Sequence, residues 1–252
     1  MPAVESPFDA PDDHLLKYEP YYPDVVATGS VLAALQAEAD RAGYGFTAVL
    51  TENCPGWRCG AARVTDGFRW TQVLMGQGVR YFVVDCWAGG VHMAVGQTRE
   101  LPEAAGVAHS WLRAPRVRDL VTQWPFLRTW ELAEAHERGE AISVRWRELR
   151  EHAARDPRLG LQELVEAAYE QPRLRALSPG TSLLWLTFSR RAAPPISGDL
   201  PQVSQLKDGR YQVSFGHGRF EETGSAAQAI ALVVDALPDD AVPDPSELRP
   251  WA

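Results

Sequence analysis

Apolar residues recur at helical spacing in some stretches of this chain and alternate with polar ones in others, and the change of period marks out its elements. Val31, Leu35, Ala39 and Ala42 fall on one face of a helix over residues 30–42, with Ser30 placed to cap its start and Gly43 its end. Between Phe46 and Val95 the pattern changes to β-branched and aromatic runs, broken by Pro55-Gly56, Asp66-Gly67, Gly76-Gln77-Gly78 and Gly89-Gly90. Tight turns need such residues, so the segment reads as an antiparallel meander of about five strands. A helix over 101–112 follows, turning Ala104, Ala108, Trp111 and Leu112 toward the sheet.

Charged helical patterns then run over 117–124, 127–138, 144–154 and 161–170, divided by Pro125, Gly139 and Pro157. Residues 171–182 read as a connection, followed by strands over 183–189, 202–206, 210–216 and 219–223 and a closing helix over 226–237. The Pro- and Asp-rich ends lack either period: 1–29 reads as an extended or partly disordered segment and 239–252 as a tail. The expectation is an α+β fold with two antiparallel sheets flanked by helices. An N-terminal half (30–114) and a C-terminal half (158–238) are joined by a helical connector (115–157). Both halves run helix, strands, hairpin, helix, and the spacing from Thr98 to Leu112 equals that from Thr223 to Leu237, which suggests an internal duplication.

Composition narrows the partners. The net charge is −8 and no basic, aromatic-dotted stretch occurs, so nucleic acid is not expected. The longest apolar runs fall short of the roughly 20 residues that span a bilayer, and the first residues lack a secretory signal, so a cytoplasmic protein without a membrane partner is expected. Three cysteines form no disulfide framework. Cys54 and Cys59 sit diagonally across the Pro55-Gly56 turn, too far apart for a relaxed bridge, and no His completes a zinc set, so free thiols and no metal or cofactor are expected.

Asp85, Cys86 and His92 are the residue types of covalent catalysis, but strand alternation separates them. With Gly89-Gly90 as a two-residue turn, Trp87 faces His92 and Cys86 faces Met93. Cys86 then joins Val84, Met93 and Val95 on an apolar face, while Asp85, Trp87 and His92 share the opposite one, with Asp85 diagonal to His92. Asp85 and His92 are the candidate catalytic pair and Trp87 a candidate ligand-binding residue. The segment 171–182 gathers Arg173, Arg175, Ser178, Thr181 and Ser182, groups suited to an anionic ligand. Nucleophile-elbow, Walker, dinucleotide and His-Glu metal patterns do not occur.

Trp111-Leu112, Trp124-Pro125-Phe126, Trp146 with Leu149, residues 164–168, 172–177 and 186–190 resemble an actinobacterial family of unknown function, DUF6193, whose members are commonly labelled natural product biosynthesis proteins. The resemblance spans about Gly96 to Pro238 and implies a setting, secondary metabolism, without site residues. The expectation is an accessory or tailoring protein that binds a small metabolite, a precursor peptide or a pathway protein. The alternatives are an enzyme using the His92/Asp85 pair and an immunity-type protein that neutralises a toxin.

Overall fold

The computed structural model describes residues 13–50, 60–114, 116–155 and 161–251, and the chain forms two compact units, Met1–Trp130 and Glu131–Ala252. Each unit is built on its own antiparallel sheet flanked by helices, so the fold is α+β. Cys54, Cys59 and the Pro55-Gly56 turn lie outside the described residues.

In the first unit, part of the N-terminal segment read as extended is helical: α1 (Asp13–Leu16) and α2 (Pro23–Thr28). Pro23 sits in the first turn, where its missing N–H costs nothing, and Gly29 ends α2 in the left-handed region at φ 82°. The anchor is Tyr22, which is fully buried. Its hydroxyl lies 2.8 Å from the Tyr81 carbonyl, 3.0 Å from that of Val79 and 3.2 Å from that of Gly76, and it accepts from the Tyr81 N–H at 2.9 Å. Arg80, from the same loop, donates to both carboxylate oxygens of Asp24 at 2.7 and 2.8 Å and holds that carboxyl below the usual range.

The helix α3 (Val31–Ala42) is capped as its sequence implies. The Ser30 hydroxyl accepts from the Ala33 N–H, and Gly43 turns left-handed at φ 69°. There follow β1 (Ala48–Val49), β2 (Ala61–Thr65), β3 (Arg69–Met75), β4 (Phe82–Ala88), β5 (Val91–Thr98), α4 (Leu101–Trp111), α5 (Val117–Gln123) and β6 (Leu127–Arg128). The sheet runs β1 to β6 in chain order. Its inner face carries Val64, Val73, Phe82, Val84, Cys86 and Met93, buried beneath α3 and α4. Trp111 closes this core and donates its indole N–H to the Trp87 carbonyl at 2.9 Å. Residues 127–128, expected in a helix, pair instead with Gly96 and Val95 as a sixth strand, so the next helix begins only at Glu131.

The Gly89-Gly90 hairpin has the expected tip: Ala88 pairs with Val91 and Trp87 with His92. Beyond it the register departs from expectation. A bulge between Cys86 and Trp87 pairs Cys86 with Ala94 and Asp85 with Val95, so Met93 is the extra residue. Cys86 remains on the buried face, but Val95 joins the outer one.

The second unit begins with α6 (Glu131–Arg138) and α7 (Ala141–Arg155), then α8 (Gln162–Tyr169), α9 (Pro172–Arg175), β7 (Ser178–Ser182), β8 (Trp185–Ser189), β9 (Gln202–Gln205), β10 (Tyr211–Ser214), β11 (Phe220–Thr223) and α10 (Ala226–Asp235). Strands β7 to β11 are again consecutive neighbours. Leu164, Val165, Leu174, Leu186, Phe188, Val203, Val213, Ile230 and Val233 form the core together with Trp146, whose indole donates to the Leu177 carbonyl at 2.9 Å. The residues expected as a connector are therefore divided: α5 belongs to the first unit, while α6 and α7 belong to the second, α7 supplying its core.

The hairpin β7–β8 departs from expectation more sharply. Ser178 to Ser182 form an edge strand rather than a loop; an edge position tolerates Pro179, which has no N–H to give. The turn is Leu183-Leu184, both left-handed (φ 47° and 73°), with Leu183 93% exposed. The C-terminal segment is packed rather than loose. Asp244 donates its N–H to the Arg190 carbonyl, Trp251 to that of Glu137, and a 3-10 turn (Pro245–Leu248) buries Glu247. Gly139 admits this segment, because a Cβ there would lie 2.9 Å from the backbone of Leu248 and Arg249.

Tyr22→Phe removes the one hydroxyl that both donates to this carbonyl cluster and accepts from Tyr81. It is expected to destabilise the first unit by about 1–3 kcal/mol. Urea unfolding checks this: the midpoint falls while the denaturant slope stays constant.

Candidate functional site

Strand alternation places Arg63, Trp70, Gln72, Asp85, Trp87 and His92 on the outer face of the first sheet, and the pairing makes them neighbours. Trp70 pairs with Trp87 and Trp87 with His92; Arg63 pairs with Gln72 and Gln72 with Asp85. The rings stack in a row across three strands. Trp70 and Trp87 lie 4.8 Å apart at 4°, Trp87 and His92 lie 4.5 Å apart at 19°, and Trp130 meets His92 edge-on at 4.9 Å. Arg63 closes the other end, its guanidinium 4.2 Å from the Trp70 ring centre. Asp85 Oδ1 lies 3.0 Å from His92 Nε2. The structure thus brings Asp85, Trp87 and His92 together, but stacking uses the ring faces, so Trp87 offers no open face to a ligand.

Cys86 is on the other side of the sheet, fully buried 4.0 Å from the Thr71 hydroxyl, with its thiol pushed far up by desolvation. A thiol held protonated and away from His92 is not its nucleophile.

The anionic-ligand set proposed from 171–182 is split by the fold. Arg173 donates to the carbonyls of Val234, Leu237 and Pro238 at 3.3, 3.4 and 3.0 Å, capping the open carbonyl end of α10. Ser178 is buried in β7, while Thr181 and Ser182 are exposed near the β7–β8 turn. Arg175 alone lines a cleft. This cleft, about 430 Å³, is walled by Ile142, Trp146, Tyr169 and Arg175 and by Pro243 and Leu248 of the C-terminal segment. Trp146 and Tyr169 meet edge to face at 5.5 Å, and the guanidinium of Arg175 lies 5.5 Å from the Tyr169 ring centre. Arg150 covers the same ring at 4.2 Å but is committed to Glu166 through a bidentate ion pair. Among the described residues no carboxylate pairs with Arg175.

Sequence reasoning missed this cleft because its walls are far apart along the chain. One wall depends on the seating of Glu247. That carboxylate accepts from the Ala193 N–H at 3.3 Å and lies 3.6 Å from Arg191 Nε and 4.0 Å from His136 Nδ1. His136 is buried beside Arg145, and desolvation, aided by the Arg145 charge, pushes its pKa down to about 4. At neutral pH it is uncharged, and the long contact to Glu247 is not an ion pair.

Residues 140–245 match the model of a family of unknown function, DUF6193. The matched region holds most of the cleft wall, including Trp146, Tyr169, Arg175 and Pro243. It also takes in the resembling segments from Trp146 to Arg190, whereas those around Trp111 and Trp124 precede it. No curated protein and no solved structure matches the chain.

The buried neutral imidazole fixes a pH dependence. Between about pH 6.5 and pH 4 the unfolded chain takes up a proton that native His136 refuses, so stability falls as the pH falls through that window. The contribution reaches about 3 kcal/mol at the acid end. Urea titrations across this range should show His136→Gln with a correspondingly flatter stability profile than the wild type.

Proposed function

We propose that this chain is a binding protein whose second unit takes a small, largely apolar molecule carrying an acidic group. It would act in the cytoplasm within the bacterial natural-product biosynthesis that the family resemblance implies. The observation that carries this reading is Arg175, a guanidinium laid on Tyr169 at an apolar cleft, with no carboxylate partner among the described residues. Such a group provides a planar fork for a ligand carboxylate, and the ring behind it keeps the fork in place. The apolar body would lie against Trp146, Ile142 and Leu248. The volume, about 430 Å³, suits a small molecule better than a folded partner, since ligand sites run from about 300 to 1,000 Å³.

A second reading, catalysis in the first unit, draws on the 3.0 Å contact between Asp85 and His92. A carboxylate that orients an imidazole is the arrangement of a general base. Against it stands the surrounding stack, which among the described residues supplies no nucleophile.

A melting-temperature screen with aromatic and medium-chain carboxylic acids tests the first reading. Acids that stabilise the wild type should stabilise Arg173→Ala equally and bind Arg175→Gln about tenfold or more weakly. An acid that protects Arg175→Gln as well as the wild type would falsify the cleft assignment. Under the second reading, His92→Ala should slow any turnover roughly 10²-fold with binding intact; under the first, His92→Ala should bind the stabilising acids like the wild type.

A further inference from the structure

The outer face of the first sheet also carries an arginine, Arg63, that pairs with no acid among the described residues. Arg63 is half-buried, its Nε is closed off from solvent, and that atom has no hydrogen-bond partner among the described residues. Its guanidinium lies 4.2 Å from the Trp70 ring centre. Arg80, Arg150 and Arg190, by contrast, are each bound to a carboxylate. The carboxylate on the same row of this face, Asp85, is separated from Arg63 by the Gln72 strand, roughly 10 Å at the ordinary strand spacing. It is engaged with His92. A guanidinium drawn partly out of water without a counter-charge is costly, and stacking on an indole offsets only part of that cost.

The neighbouring groups are also unspent donors. Among the described residues, the Gln72 side chain and the indole N–H groups of Trp70 and Trp87 make no hydrogen bond, whereas the indoles of Trp111, Trp124 and Trp146 each find an acceptor. In the next row on the same face, Leu74 and Val83 are half-buried and apolar. We infer that Arg63, braced by Trp70 and flanked by Gln72, is an oxyanion site that takes the carboxylate or phosphate of a ligand whose apolar part rests on Leu74 and Val83. The donor set supplies what an oxyanion needs: a planar fork fixed in orientation by the ring beneath it and an amide beside it. This inference is independent of the cleft around Arg175.

The experiment uses the full chain carrying Arg175→Gln, so that the cleft cannot supply the signal, with inorganic phosphate and benzoate as separate probes. The readout is the pair of indole N–H resonances of Trp70 and Trp87 in ¹H–¹⁵N spectra, assigned through Trp→Phe variants. At least one probe should shift both resonances saturably; a response to phosphate alone, or to benzoate, tells the head group. Adding Arg63→Gln should weaken that binding about tenfold or more. Arg63→Lys, which keeps the charge and loses the fork, should weaken it severalfold. The inference is overturned if neither probe moves these resonances at tens of millimolar, or if a folded Arg63→Gln chain binds like its parent. Should Arg63→Gln fail to fold, Arg63→Lys decides: undiminished binding in that variant rejects the site.

Discussion

Side chains alternate from face to face along a strand, and most of what this protein does structurally follows from that constraint. A meander without a second sheet to pack against has one apolar face to bury, and helices are the available cover. In the first unit Val64, Val73, Phe82, Val84 and Met93 go beneath α3 and α4. In the second, Val203, Tyr211 and Val213 go beneath α10. Both units cap a packing helix with a serine that follows a glycine, Gly29-Ser30 and Gly224-Ser225. What alternation removes from the core it concentrates elsewhere, and the polar and aromatic residues of β2 to β5 are thereby gathered on the opposite face.

Arginine performs three distinct tasks here. Some form ion pairs: Arg150 with Glu166 joins α7 to α8, though at this exposure such a pair contributes under about 1 kcal/mol. Others close backbone: Arg173 caps α10, and Arg69 donates to the carbonyls of Trp111 and Ala114 after α4. Arg63 and Arg175 do neither. Each lies on an aromatic ring with its charge uncompensated by any described carboxylate.

Periodicity alone made α3, the meander, α8 and the closing helix legible, because each carries its own packing face and end signals. Asp85 beside His92 was legible for the same reason, since a glycine pair fixes the hairpin tip. Other features have no local signature. The Leu183-Leu184 turn contains none of the residues that tolerate positive φ, so periodicity makes the strand before it look like loop and Ser178, Thr181 and Ser182 like a ligand set. Arg63 and Trp70 become neighbours only through the register of two strands, and Tyr169 and Leu248 only through the tail packing beside α6 and α7. The tail itself looked unstructured because prolines and aspartates predominate; its seat is a single buried carboxylate, Glu247, invisible to any periodicity.

The bulge opposite Cys86 and Trp87 has a further consequence. On its tip side, Ala88 and Trp87 pair with Val91 and His92; on its far side, residues 82–86 pair with 94–98, displaced by one. One residue, Met93, therefore divides the β4–β5 ribbon into two phases. Its loss would leave a ribbon of single phase, in which one end of β5 must show the wrong faces to the core. The imidazole row at the tip and the apolar face over α4 are thus two independent inheritances on one strand, and Met93 is the spacer that lets each change without turning the other inside out.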